Sequence, residues 1–124
     1  MALLDEKRQP IKIYKVALGF DPIGHKIQEG DGRTPEGLYK ISSHNPRSRF
    51  HKSLRISYPN RTDYFEAQRQ GYKPGGDIVI HGVGDAQRVR YLKDWTLGCI
   101  AVKDHEIDQI YSMVPNGIPI LIEP

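Results

Sequence analysis

Short runs in which hydrophobic and polar residues alternate, separated by Gly and Pro, make up most of this 124-residue chain. The clearest run alternates Leu54, Ile56 and Tyr58 with polar neighbours, which is the period-two pattern of a strand with one buried face. A compact apolar run follows at residues 78–80 and is typical of a fully buried strand. These two runs predict the centre of a sheet.

Three weaker runs predict further strands, at residues 11–16, 38–41 and 118–122. In the first of them, Ile11 and Ile13 fall on one face of the strand. The last is expected at a sheet edge, because Pro119 has no backbone N–H to donate.

Helical patterns are short. Asp63 with Glu66 three residues later resembles a capping box, and this pattern predicts a helix over residues 63–70. A second helix is predicted from Asp104, as its cap, to the Pro-Asn-Gly stop at residues 115–117. The whole pattern predicts a mainly β fold, a β-sandwich with two or three short helices, in one domain over residues 1–124.

Composition narrows the class of protein. Twelve Gly and nine Pro favour turn-rich structure, and no stretch approaches the ~18 apolar residues of a membrane-spanning helix. A formal net charge of +3 is too mild to indicate a nucleic-acid partner. No basic leader followed by an apolar core marks a secretory signal at the start of the chain.

Cys99 is the only cysteine, so an internal disulfide is impossible, and one thiol is too few for a zinc site. Gly98 before it allows a tight turn, and the amides of Gly98 and Cys99 are predicted to point together at a developing oxyanion. A thiol needs deprotonation before it attacks, which a neighbouring imidazole can provide. A small buried hydrophobe is the alternative role for this residue.

His81 is the best partner among the five histidines, because it ends the buried run 78–80 and is therefore rigidly placed. The carbonyl of Gly82 can hold one ring nitrogen and fix the tautomer. A purely structural, hydrogen-bonded histidine remains the alternative. The pattern alone leaves both roles open.

His81, followed after fourteen residues by Thr96-Leu97-Gly98-Cys99, resembles the signature of the L,D-transpeptidase catalytic domain (YkuD type). The segment GDGRTPEG at residues 30–37 resembles the family element Gly-x-x-x-Thr-Pro-x-Gly. Segments at residues 56–60, 74–77 and 94–96 are further similar to its YafK-like branch. The likeness extends over residues 11–122.

The resemblance implies a cysteine-dependent acyl transfer on peptidoglycan stem peptides through a thioester, without cofactor or metal. It makes Cys99 the nucleophile, His81 its base, Gly82 the orienter of His81, and Gly98 part of the oxyanion hole. It also implies a periplasmic or cell-envelope location, with a signal peptide removed or missing from this chain and the front of the domain abbreviated. Candidate substrate-binding residues are Thr96, Trp95 and Tyr58; for Trp95 and Tyr58, packing in the core is the alternative.

Two positions depart from the family pattern: Leu97 replaces a histidine and Ala101 replaces an arginine. Loss of that cation weakens recognition of a stem-peptide carboxylate, which favours hydrolysis, including release of a wall-attached lipoprotein, beside transpeptidation. A non-catalytic peptidoglycan-binding module is the alternative function.

Basic residues form two clusters, at Arg47, Arg49, Lys52 and Arg55 and at Arg88, Arg90 and Lys93. Each cluster is interpreted either as part of a groove that binds the polymer or as a solvated surface.

Overall fold

A computed structural model describes residues 1–84 and 94–124 of the chain. Seven strands and two helices lie within these residues. In chain order they are β1 (Ala2–Leu4), β2 (Pro10–Ile13), β3 (Gly37–Ser48), β4 (His51–Ile56), α1 (Arg61–Arg69), β5 (Val79–His81), β6 (Ile100–Ala101), α2 (Asp104–Met113) and β7 (Pro119–Ile122).

The main sheet has five strands in the order β6-β5-β4-β3-β7, and a separate antiparallel hairpin is formed by β1 and β2. Neighbours in the main sheet are antiparallel except β5 and β6, which run parallel. The predicted sandwich with short helices is confirmed, and β7 lies at a sheet edge as Pro119 predicts.

One face of the main sheet builds the hydrophobic core. Leu54, Ile80 and Ile100 stand opposite one another on β4, β5 and β6, and all three are buried. Helix α2 packs Ile107 and Ile110 into the same cluster. Because side chains alternate along a strand, the neighbours of these core residues point to the opposite face, where the candidate functional side chains lie.

Helix α1 begins two residues before the predicted start, with Asn60 as its N-cap. The Asn60 side chain accepts a hydrogen bond from the Asp63 N–H at 2.9 Å, and the Asp63 carboxylate accepts one from the Asn60 N–H at 3.0 Å. Asp63 therefore closes the capping box rather than opening it. Its carboxylate also accepts hydrogen bonds from Tyr39 and His25, so the helix start is tied to the core.

Helix α2 also differs from prediction at its start, since Lys103 is the N-cap and Asp104 the first helical residue. The Asp104 carboxylate instead accepts hydrogen bonds from the backbone N–H groups of Val83 and Gly84, at 2.8 and 3.1 Å. This contact holds the chain that leaves β5 against α2.

The predicted strand at residues 11–16 is shorter in the structure. It ends at Ile13, and Ile11 and Ile13 are 61% and 74% exposed, because β2 pairs with β1 alone and these two side chains face away from the core. Tyr14, beyond the strand, is the residue of this region that enters the core. No helix in the described part of the chain has the length and apolar character needed to cross a membrane.

Candidate active site

His81 and Cys99 lie on the same face of the β5–β6 ladder. The two parallel strands pair Ile80 with Ile100 and His81 with Ala101. Cys99 immediately precedes Ile100, so alternation directs it to the face of His81, away from the core. Two segments far apart in sequence thus present an imidazole and a thiol on one surface.

The imidazole of His81 is held in one orientation. Its Nδ1 hydrogen-bonds the carbonyl oxygen of Gly82, as the sequence predicts, and since a carbonyl can only accept, Nδ1 carries the proton. In the neutral ring, Nε2 is then free to accept a proton. A Cβ on Gly82 would lie 2.3 Å from the Asp104 carboxylate and 2.9 Å from the Phe50 carbonyl, so no larger residue fits beside His81.

Two aromatic rings enclose His81. Phe50, in the turn between β3 and β4, stacks on the imidazole with a centroid separation of 4.5 Å and an interplanar angle of 25°. Trp95 contacts it edge-on at 5.8 Å. Burial lowers the pKa of His81, and the hydrogen bond to Gly82 only partly opposes this shift. The ring is therefore neutral at pH 7 and able to act as a base.

Phe50 is the site residue that sequence analysis missed. It lies in a turn between two strands and belongs to none of the motifs. Its position over His81 depends on the pairing of Ser53 on β4 with His81 on β5, which no local pattern specifies. Trp95, predicted as either pocket wall or anchor, packs against both Phe50 and His81.

The Cys99 thiol rests on the backbone at the start of β5. Its Sγ donates to the Asp77 carbonyl oxygen at 3.3 Å and accepts from the Val79 N–H at 3.5 Å. Burial raises the pKa of Cys99 above its ordinary value, and the hydrogen bond from Val79 lowers it only in part. The resting residue is a neutral thiol.

The turn before Cys99 requires glycine at residue 98. Gly98 has φ +138°, and a Cβ there would lie 2.7 Å from the Arg33 carbonyl oxygen. Its N–H donates to Thr96 Oγ1 at 3.1 Å, and that hydroxyl donates to the Cys99 carbonyl at 2.7 Å. This differs from the predicted arrangement, in which the amides of Gly98 and Cys99 both face an oxyanion. The hydroxyl of Thr96 is occupied within the turn.

The GDGRTPEG segment forms a rigid loop that supports this turn. Asp31 accepts hydrogen bonds from the Lys26 ammonium and from the amides of Ile27, Gln28 and Arg33. Burial by itself opposes the charge of Asp31, but these hydrogen bonds hold its pKa below the ordinary value. Thr34 Oγ1 accepts from the Gly19 N–H at 3.0 Å, which joins the loop to the strand-like segment beside Thr96.

The other positions singled out from the sequence lie partly in the core and partly at the surface. Tyr58 is buried in the core, and its hydroxyl donates to the Pro74 carbonyl at 2.9 Å. In the structure Tyr58 therefore packs in the core, which is the alternative that its strand pattern indicated. Leu97 is 77% exposed beside Cys99, whereas Ala101 is buried opposite His81.

In the first basic cluster, Lys52 pairs with Asp108 and Arg55 with Asp77. The second cluster, Arg88, Arg90 and Lys93, lies outside the described residues.

No three His, Cys, Asp or Glu side chains are placed to hold a metal ion within residues 1–84 and 94–124. The geometry instead offers a neutral thiol and a neutral, oriented imidazole on one surface. Such a pair performs nucleophilic catalysis when the imidazole takes the thiol proton during attack.

Comparison with known proteins identifies similar chains. The family model of the L,D-transpeptidase catalytic domain (YkuD) matches residues 1–122. YafK from Escherichia coli (strain K12), whose name assigns it provisionally to the L,D-transpeptidases, is 29% identical over 117 residues, which cover 93% of this chain and 42% of YafK.

Solved structures give the same result. The helical cell shape determining protein Pgp2 from Campylobacter jejuni superposes with a TM-score of 0.69 at 28% identity, over 88% of this chain and 37% of Pgp2. Bd1075 from Bdellovibrio bacteriovorus superposes with a TM-score of 0.62 at 26% identity, over 92% of this chain and 39% of its own. This chain thus spans less than half of these proteins. Because the family match covers residues 1–122, the chain belongs to the L,D-transpeptidase catalytic domain (YkuD) family.

Proposed function

We propose that this chain is a cysteine-dependent acyl-transfer enzyme acting on peptidoglycan stem peptides, with Cys99 as nucleophile and His81 as general base. The supporting observation is the placement of both side chains on one face of the β5–β6 ladder, with His81 Nδ1 fixed by Gly82. Membership of the family supports the substrate class.

The chemistry follows from the protonation states of the two groups. His81 Nε2 takes the thiol proton as Sγ attacks the carbonyl carbon of the donor peptide. The resulting tetrahedral oxyanion is stabilised by the Cys99 amide, because the Gly98 amide is held by Thr96. Collapse breaks the C–N bond, and the imidazolium of His81 returns its proton to the leaving amine. A thioester on Cys99 remains.

The second half of the reaction transfers the acyl group from Cys99. An amine or a water molecule attacks the thioester, His81 takes its proton, and the thiolate leaves and is reprotonated. The first step requires the thiol to turn from the Asp77 carbonyl, where it rests, toward His81. We propose that the arriving donor drives this rotation by occupying the surface of the ladder.

The roles of the neighbouring residues follow from their contacts. Trp95 forms a wall of the donor pocket as well as packing on His81, and Leu97, being exposed beside Cys99, offers an apolar contact to the donor. Thr96 and Tyr58 contribute through the turn and the core, because their hydroxyls are occupied internally. A cell-envelope location and a wall-attached lipoprotein as a further substrate are part of this proposal.

The nucleophile and base are tested by substitution. We expect Cys99→Ala to abolish turnover of muropeptides with the fold intact, and His81→Gln to lower the rate by ~10²–10⁴-fold, the usual cost of losing a general base. Iodoacetamide alkylation of Cys99 near pH 7 should also be slower in His81→Gln, because a thiol that turns away from the Asp77 carbonyl then meets no proton acceptor. Equal alkylation rates would show that His81 does not activate the thiol before the donor is bound. Muropeptide turnover retained by Cys99→Ala would remove the thioester mechanism, and binding without turnover in the unaltered protein would favour a peptidoglycan-binding module.

The stacking of Phe50 on His81 predicts that the pH dependence of kcat/KM changes when the ring of Phe50 is removed. Replacing the ring by Phe50→Leu exposes His81 to water, so its lowered pKa should rise toward the ordinary value near 6.5. Since the neutral imidazole is the active form, the acid limb of kcat/KM should move to higher pH. Phe50→Trp keeps an aromatic face and should restore the original limb, and Phe65→Leu on the exposed side of α1 serves as the control. An unmoved acid limb in Phe50→Leu would contradict this role.

The balance between hydrolysis and transfer is a further prediction. Ala101 supplies no cation on the ladder face, and Leu97 is open to solvent, so no feature of the turn shields a thioester from water. With tetrapeptide fragments and excess D-amino acid, we expect at least as much hydrolysed as amine-exchanged product by chromatography with mass detection. Predominant exchange would instead identify a transpeptidase.

A further inference from the structure

Arg55 lies on the same face of the main sheet as Cys99. Antiparallel pairing places Arg55 on β4 directly opposite Val79 on β5, and the parallel β5–β6 register places Cys99 beside Val79 on the next strand. Directly opposed residues of a sheet point to one face. Arg55, Val79 and Cys99 therefore form one row across three strands, about 10 Å from end to end at a strand spacing of about 4.8 Å.

Asp77 connects the two ends of this row. Its carboxylate pairs with Arg55 Nη2 at 2.8 Å, while its backbone carbonyl accepts the hydrogen bond from Cys99 Sγ at 3.3 Å. The guanidinium thus lies against the same residue on which the nucleophile rests. The positive charge of Arg55 also acts on Cys99, where it opposes part of the rise in pKa that burial causes.

Arg55 is able to exchange its partner. Its side chain is 49% exposed and that of Asp77 is 86% exposed, and an exposed ion pair of this kind contributes little to stability. An arginine presents five N–H donors in a planar fork that matches a carboxylate. An incoming carboxylate can therefore replace or share the contact with Asp77 at small cost.

Within residues 1–84 and 94–124, Lys26 and Lys52 are further cations close to this row, and each is already paired. Lys26 also acts on Cys99, but it is buried and bound to Asp31 at 2.9 Å. Lys52 pairs with Asp108 of α2, on the core side of the sheet. Ala101, two residues after Cys99, is buried and uncharged.

We infer that Arg55 is a substrate-binding residue that receives a free carboxylate of the acyl-donor peptide. This inference rests on the proposed function, since it names the group of the donor that the site recognises. Two carboxylates of a donor stem peptide have the required chemistry: the C-terminal one and a side-chain one.

The test compares two variants that break the same ion pair. We expect Arg55→Gln to raise KM for the tetrapeptide donor about tenfold, the low end for a charge-assisted hydrogen bond, with kcat nearly unchanged. Asp77→Asn frees the guanidinium and should leave KM unchanged or lower it; Asn tolerates the positive φ of residue 77. If the ion pair were only structural, both variants would alter KM in the same direction, which would overturn the inference.

Amidated donors identify which carboxylate of the donor peptide Arg55 binds. Donors amidated at the C-terminus or at the side-chain carboxylate are compared, and the effect of Arg55→Gln should vanish for the donor that lacks the recognised group. Arg61→Gln, an equal change of charge at the start of α1, is the control and should leave KM unaltered. If Arg55→Gln raises KM equally for the free and both amidated donors, carboxylate recognition by Arg55 is refuted.

A binding measurement separates this inference from the proposed function. In a Cys99→Ala background, calorimetric titration with the tetrapeptide should show about tenfold weaker binding when Arg55→Gln is added. That result would support the carboxylate site even if the unaltered protein shows no turnover. Absence of turnover would count against the proposed function alone. Equal affinities of Cys99→Ala and of the double variant with Arg55→Gln would refute the role of Arg55 even if turnover is normal.

Discussion

The two-residue parallel pairing of β5 with β6 is the constraint on which the site depends. It is held from the core side by Ile80 and Ile100, whose burial contributes about 1.5–3 kcal/mol each. The opposite face of the same pairing carries His81, with Cys99 one residue before the ladder. A shift of one residue in this register would exchange the faces and place the thiol in the core. The hydrophobic core therefore determines which side chains can react.

Burial determines the protonation state of the site. The same removal from water lowers the pKa of His81 and raises that of Cys99, so both groups are neutral at rest. In the proposed mechanism, this neutral pair becomes a nucleophile only when a substrate brings the two groups together, and proton transfer then accompanies attack. Phe50 and Trp95 supply the burial of the imidazole, and the carbonyls of Gly82 and Asp77 fix the two resting positions.

Features set by local chemistry could be predicted from the sequence, and those set by non-local pairing could not. The alternation around Leu54 predicted β4, and the adjacency of His81 and Gly82 predicted the hydrogen bond that fixes the tautomer. The stack of Phe50 and the row of Arg55 with Cys99 depend on strand register, which no short motif encodes. The hydrogen bond that the Gly98 amide donates to the hydroxyl of Thr96 is likewise not evident from the motif, because it depends on the shape of the turn.

The direct test of the central claim, that the reaction passes through a thioester on Cys99, is the mass of the intact protein in an acid-quenched reaction with a tetrapeptide donor. We expect a mass increase equal to the donor acyl group, located by peptide mapping on the segment that contains Cys99 and removed by hydroxylamine. Product formation without an acyl adduct on Cys99, or with the adduct on another residue, would contradict this mechanism.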